Sequence, residues 1–293
     1  MRQTEELSSR LISDTKISCG NSREAGIFAL AAAADEVAAK GAVPYGANVK
    51  IMLPDGTFKS RMNGMKKMIK KAAEDAAIER VEIEGSFHPA VNYPMTVATV
   101  YGAADEGILW NRDETADSGQ EIVLAGWIGL AGTIFILNEK EEELTKRFTR
   151  TFLGQIRAYQ SQLFAIEEMK TAREAGAQII LQASDGGILA ALHFLALKAG
   201  TGFSVDMKKL SVRQETVEVC EYFRLNPYQL MSAGCFLMTA NDGKMLADRL
   251  RQKGMEAVVI GRLTNNNDKI ITNGEEIRYV DRPAPDEWTK ILE

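Results

Sequence analysis

The run Ile179-Ile180-Leu181-Gln182-Ala183-Ser184-Asp185-Gly186-Gly187-Ile188 passes from a short apolar strand, through two glycines, into a segment over 186–198 that is apolar on nearly every face. A strand that turns straight into a buried helix is the repeating unit of α/β proteins. Two glycines at a helix start let the backbone approach a ligand closely, and the N–H groups exposed there favour a phosphate. Asp185 reads either as a metal ligand or, with Ser184, as a plain N-cap. No Gly-Lys-Ser/Thr follows, so the turn is not a Walker loop, and it lacks the dinucleotide fingerprint.

Working outward, the pattern of helix and strand continues in both directions. Toward the C-terminus the spacing predicts helices over 216–223 and 243–252 and strands over 236–239 and 257–261, the last of them the final strong strand. Toward the N-terminus come a strand over 121–125, a glycine cluster (Gly126, Gly129, Gly132) assigned to close packing, and helices over 139–152 and 160–174. The first part of the chain carries an alanine-rich helix over 26–40 stopped by Gly41, a break at Pro44, and a strand over 48–53 closed by Pro54-Asp55-Gly56. A basic amphipathic helix over 62–77 and apolar runs over 81–85 and 95–101 complete it. A polar stretch over 105–120 places a domain boundary, giving residues 1–116 and 117–293. Both halves hold a glycine-opened cationic helix running into a strand closed by glycine, which either independent units or two similar lobes explain.

Composition bounds the function. The chain has 293 residues, 45% hydrophobic and 26% charged, with 40 acidic and 35 basic side chains and a net charge of −5. Such proportions describe a globular protein with room for two domains. The acidic balance argues against a nucleic-acid surface, which needs excess Lys and Arg. Met1-Arg2-Gln3-Thr4-Glu5-Glu6 lacks the apolar core of a signal peptide, and the strongly apolar uncharged run 122–137 falls short of the roughly 20 residues that span a bilayer. A cytoplasmic protein with no membrane segment is expected. The three scattered cysteines fit a reducing compartment better than a disulfide framework or a zinc site. With only His88 and His193, a histidine-rich metal site is excluded; His193 and Cys220 read as core residues.

Two further acids stand out. Asp35, with Glu36 beside it, lies inside the alanine-rich helix and is either a metal or substrate ligand or exposed on one face, exposure being the simpler reading. Asp14, in Leu11-Ile12-Ser13-Asp14-Thr15-Lys16, could end a strand at a polar site, although a turn asks for less. Physics alone delivers a two-lobed α/β protein with an anion site near Gly186 and Gly187.

The ordered segments Ala125-Gly126-Trp127-Ile128-Gly129-Leu130-Ala131-Gly132-Thr133, Ser184-Asp185-Gly186-Gly187, Val212-Arg213-Gln214-Glu215-Thr216, Cys220-Glu221, Asn226-Pro227 and Ser232-Ala233-Gly234 resemble the aminoimidazole ribonucleotide synthetase-related superfamily, and within it the hydrogenase maturation factors. The resemblance is specific over 121–264 and looser over 26–102, where Asp35-Glu36-Val37-Ala38-Ala39-Lys40-Gly41-Ala42 looks like the family's acid-bearing helix. It implies two α/β (α+β) lobes, the second an α/β sandwich; the sequence departs from the family pattern in having too little chain before Asp14 for the first lobe's early strand. It also implies a homodimer joined through N-terminal strands, and ATP with Mg²⁺ as cofactors. The implied chemistry is phosphoryl transfer from ATP to an amide-type oxygen, which needs carboxylates for the metal and backbone N–H groups for phosphate. By position the resemblance assigns Asp35 and Asp185 as catalytic and metal-binding residues. Glu84 becomes a metal ligand where the family's Gly-Gly-Asp reads Glu84-Gly85-Ser86, and Asp14, Ser184, Gly186 and Gly187 become cofactor contacts. The partner is then a nucleotide or small molecule, and a catalytically reduced relative that binds a ligand or protein as a dimer is the alternative.

Overall fold

A computed structural model describes residues 11–104 and 116–292, so most of the polar stretch assigned as the boundary lies outside the described residues. In chain order the strands are β1 (Leu11–Cys19), β2 (Ala42–Pro54), β3 (Arg80–His88), β4 (Met95–Ala104), β5 (Glu121–Ala125), β6 (Ile180–Gln182), β7 (Phe203–Asp206), β8 (Phe236–Ala240), β9 (Ala257–Leu263), β10 (Lys269–Asn273) and β11 (Glu276–Tyr279). The helices are α1 (Ala25–Ala39), α2 (Lys59–Asp75), α3 (Leu130–Glu139), α4 (Glu141–Leu144), α5 (Arg150–Ala158), α6 (Ile166–Glu174), α7 (Gly187–Ala199), α8 (Gln214–Phe223) and α9 (Gly243–Gln252). The chain divides into two compact units, Met1–Trp110 with Phe135–Leu153 and Ser161–Ile166, and Asn111–Ile134 with Gly154–Gln160 and Glu167–Glu293.

In the first unit a four-stranded sheet runs β1-β4-β2-β3, with β2 and β3 parallel across the α2 crossover and the other pairs antiparallel. Helix α1 lies against β1, β2 and β4 and is buried along nearly its whole length. Its run Leu30-Ala31-Ala32-Ala33-Ala34 makes that possible, because alanine keeps helix propensity while letting neighbouring backbones come close. Helix α2 contributes Met65 and Ile69 to the same core and leaves its lysines outside. Asp14, which the sequence left as a strand end or a turn, sits in the middle of β1 opposite Val100. Alternation of exposed and half-buried residues along Leu11–Cys19 is the signature that reading passed over. Pro44 likewise does not break the chain; it lies within β2 at a bulge between Pro44 and Gly46, where the lost ladder bond is tolerated.

In the second unit seven strands run β11-β10-β7-β9-β5-β8-β6, with β7 and β10 parallel and the remaining pairs antiparallel. Ile122, Leu124, Ile188, Leu192, Leu195, Phe203, Leu237 and Ile260 share one core cluster. The single charged helix expected over 139–152 is replaced by α3, α4 and α5, since the buried apolar residues begin at Leu130 and Lys140 leaves helical geometry. Strands β10 and β11 lie beyond the expected last strand and join through the two-residue turn Gly274-Glu275, with Gly274 at φ 65°. Among the described residues no helix is long and apolar enough to cross a membrane.

The glycine cluster packs rather than binds. Gly126 has φ 90°, and a Cβ there would lie 2.4 Å from the Gly234 carbonyl oxygen; a Cβ on Gly132 would lie 2.3 Å from Leu230 Cγ. Gly126→Ala therefore combines left-handed strain with a backbone clash and should cost about 3 kcal/mol or more. Urea denaturation checks this, and a loss under about 1 kcal/mol would refute the packing role.

Candidate functional site

The turn singled out in the sequence is built by three strands of contact. Edge strand β6 pairs with β8, the Ala183 N–H donates to the Cys235 carbonyl at 2.8 Å, and the Ser232 N–H donates to the Ser184 carbonyl at 3.3 Å. Gly186 and Gly187 follow with φ 76° and 64°, both left-handed. A Cβ on Gly187 would stand 2.7 Å from the Tyr228 carbonyl oxygen and 2.9 Å from the Leu230 nitrogen, so only glycine fits. Helix α7 then begins, its apolar face toward the core. Phe194 and Leu197, 49% and 61% exposed, depart from the full burial expected for this helix.

The N-cap reading of Ser184 and Asp185 does not hold. Gly186 itself is the cap residue, with no side-chain capping bond at that position, and Asp185 is exposed while Ser184 is half-buried. The carboxylate that serves this turn comes instead from a hundred residues away. Asp286 accepts from the Gly186 N–H at 2.7 Å through Oδ2, and from the Met231 and Trp288 N–H groups, each at 3.1 Å, through Oδ1. An anion is thus what the turn takes, and the chain supplies one. Asp286 is 7% exposed, and no cation pairs with it among the described residues. Burial pushes its carboxyl up to about 6, opposed by the three amide hydrogen bonds and aided by the charge of Asp185. The sequence reading missed Asp286; Asp286-Glu287-Trp288 carries the local signal of an Asx cap, but nothing local names Gly186 or Met231 as partners.

Around this turn the resembling segments converge. The Gly129 N–H donates to Ser232 Oγ at 2.8 Å, Thr133 Oγ1 lies 3.0 Å from Thr216 Oγ1, and Ile128 bridges Val212. Arg213 lies between the rings of Trp127 and Tyr159, 4.2 and 4.0 Å from their centroids, and the Tyr159 hydroxyl donates to Glu215 at 2.9 Å. Cys220 and Cys235 are buried, and burial pushes both thiols up to about 12, so neither is a nucleophile at neutral pH. His193 is half-buried on α7 with Phe194 edge-on at 5.9 Å, as a packing residue would be.

In the first unit the predicted acids separate. Asp35 is fully buried, contrary to the exposure expected, because α1 is enclosed on all sides; its Oδ1 accepts the Ala165 N–H at 2.8 Å. Asp14 points to the α1 side of the sheet, where Lys40 pairs with it and Lys16 lies 3.8 Å from both Asp14 and Glu36. Glu84 is exposed on the opposite face of that sheet, beside Lys50. Asp14 and Glu84 therefore cannot share one ion. Among the described residues no three His, Cys, Asp or Glu side chains form a group that could hold a metal.

Comparison with known proteins completes the picture. The family model for the C-terminal domain of AIR synthase related proteins matches residues 117–273. A putative hydrogenase expression/formation protein of Methanocaldococcus jannaschii is 22% identical over 276 residues, covering 91% of this chain and 78% of that protein. Among solved structures, E. coli HypE, a hydrogenase maturation protein, superposes with a TM-score of 0.78 at 19% identity over 98% of this chain and 91% of its own. A HypE in complex with ATP superposes at 0.76 with 15% identity, over 96% and 87%. At these identities the structural likeness establishes the two-lobed α/β fold.

The Asp286 carboxyl generates a prediction. Its raised value means the folded state binds the proton more tightly than the unfolded chain, so its contribution is fully present below about pH 4 and is lost as pH rises through about 6. The stability difference between wild type and Asp286→Asn should change by up to about 3 kcal/mol across that window. Urea midpoints from pH 4 to 7 check it; a difference that stays flat with pH would reject the buried, unpaired carboxylate.

Proposed function

The chain belongs to the family of AIR synthase related proteins, and from that premise we propose that it binds ATP and transfers the γ-phosphoryl group to an amide-type oxygen, in the manner of a hydrogenase maturation factor. The observation that carries this reading is the family match over 117–273, which spans the Ser184-Asp185-Gly186-Gly187 turn. In the reaction an amide oxygen attacks the γ-phosphorus, ADP leaves, and the amide gives up its N–H proton. The product carries a phosphate leaving group on carbon, ready for ring closure or dehydration.

The roles follow from position. Ser184 and the exposed Asp185 meet the nucleotide at the mouth of the turn, while the Gly186 N–H is held by Asp286 and the Gly187 N–H by the Ser184 carbonyl, so the two glycines shape the turn. Catalysis of this kind rests on positioning and charge rather than on a nucleophilic side chain, which agrees with the inert cysteines. Among the described residues the carboxylates do not gather into a magnesium site; on this reading Asp185 meets a cation that arrives with the nucleotide. Asp35 holds the backbone at Ala165 and acts as a positioning residue.

The open face of the first sheet supports the homodimer. Leu11, Ala103 and Val43 form one row across β1, β4 and β2, and Ile17, Val97 and Lys50 another. Leu11, Ile17 and Val43 are 52, 58 and 52% exposed, and apolar side chains aligned on one sheet face mark a contact surface. Binding without turnover is the second reading, favoured by the enclosure of Asp35.

Isothermal calorimetry with Mg·ATP tests the first claim: heat is expected, and none at millimolar nucleotide would sink it. Asp185→Asn should weaken binding by about tenfold through loss of one charge; unchanged affinity would refute its placement. Release of ADP in the presence of an amide substrate separates turnover from binding alone. Light scattering should report a dimer that Ile17→Glu converts to a monomer, and a wild-type monomer at micromolar concentration would overturn the sheet-face assignment.

A further inference from the structure

Beneath the C-terminal segment of the second unit lies a cavity of about 220 Å³. Its inner surface carries Leu189, Leu210 and Ile271, from α7, the chain after β7, and β10. Tyr228 and Tyr279 also line it, and Arg282 stands in the exposed chain that follows β11. The outer wall is held in place rather than loose, because Asp286, two residues beyond the lining chain, is hydrogen-bonded to the Gly186 and Met231 amides. A preformed wall removes the ordering cost a ligand would otherwise meet.

Size and chemistry narrow the occupant. An apolar cavity of about 150 Å³ accepts a benzene ring, so this one has room for one ring and a compact polar group. Arg278, the other cation of the lining, is occupied by Glu276 at 2.8 Å. Arg282 makes no ion pair among the described residues, which leaves its planar pair of donors available to a carboxylate or phosphate. Gln229 accepts from Asn226 Nδ2 through its carbonyl oxygen at 3.0 Å, and its own amino group makes no bond among the described residues. Asp281 shares the lining as the opposing charge.

We propose that this cavity is a second ligand site, for a small aromatic anion whose ring lies between Tyr228 and the apolar floor and whose carboxylate or phosphate meets Arg282. It goes beyond the ATP reading and does not need it: Gly186 of the turn borders the cavity as well, but Leu189, Tyr228 and Arg282, which would recognise the ring and the anion, have no part in that reading.

Calorimetry on the full chain without nucleotide, with phenyl phosphate as the probe, tests it. Phenyl phosphate should bind at least about tenfold more tightly than phenol or inorganic phosphate alone, because ring and anion are recognised together. Arg282→Ala, an exposed position that leaves the fold intact, should weaken phenyl phosphate at least fivefold, roughly the loss of one charge-assisted contact, while leaving phenol unchanged. Leu189→Trp, a half-buried position facing the cavity, should fill it and abolish binding of both aromatics without unfolding, as read by circular dichroism. The proposal is overturned if phenyl phosphate binds no better than inorganic phosphate, if 2-phenylethylamine binds more tightly than phenyl phosphate, or if Arg282→Ala leaves phenyl phosphate affinity unchanged. Failure of ATP to bind leaves these outcomes untouched, so the two readings fail separately.

Discussion

Three backbones come together on the segment from Tyr228 to Cys235 with no Cβ between them. Gly132 at the start of α3 packs on Leu230, Gly187 at the start of α7 packs on the Tyr228 and Leu230 carbonyls, and Gly126 packs on Gly234. Each approach is closer than any side chain would allow, and each leaves polar backbone groups that need partners in a dry place. Those partners are supplied in turn: Gly132 N–H to Met231 O, Gly129 N–H to Ser232 Oγ, and Met231 N–H to Asp286. Helix placement, turn geometry and the docking of the C-terminal segment all depend on that shared contact.

The consequence for function is electrostatic. The Gly186 N–H at the helix start and the Met231 and Trp288 N–H groups converge on one point, and a buried carboxylate fills it. No cation pairs with the carboxylate among the described residues, and burial raises its proton affinity. The turn is therefore an anion site by construction, with Asp185 and Ser184 at its exposed edge. In the first unit the acids have other work: Asp14 lies in a charge network with Lys16, Lys40 and Glu36, and Asp35 fixes a loop backbone.

Much of the fold was legible in local pattern. The alanine run of α1, the amphipathic spacing of α2, the apolar strands β5, β8 and β9 and the turn before α7 all appear at their expected places, because each is decided by short-range period and propensity. Strand β1 stayed open between a strand end and a turn because a polar alternating strand resembles a turn until its partner is known, and Pro44 marks no break because a bulge in β2 relieves the constraint that proline imposes. The N-cap assignment failed for a related reason: Ser184 and Asp185 have the right chemistry, but a distant carboxylate reached the amide first.

By itself the sequence determined the class of architecture, the family, the glycines and the turn they build, because these follow from residue type at fixed short spacing. Only the tertiary structure decided which acids meet. Asp14 and Glu84 stand on opposite faces of one sheet, Asp35 is enclosed, and Asp286 occupies the Gly186 amide from a hundred residues away. Such pairings depend on strand register and on which faces are buried, and a one-residue change of register reverses them, so no local pattern encodes them.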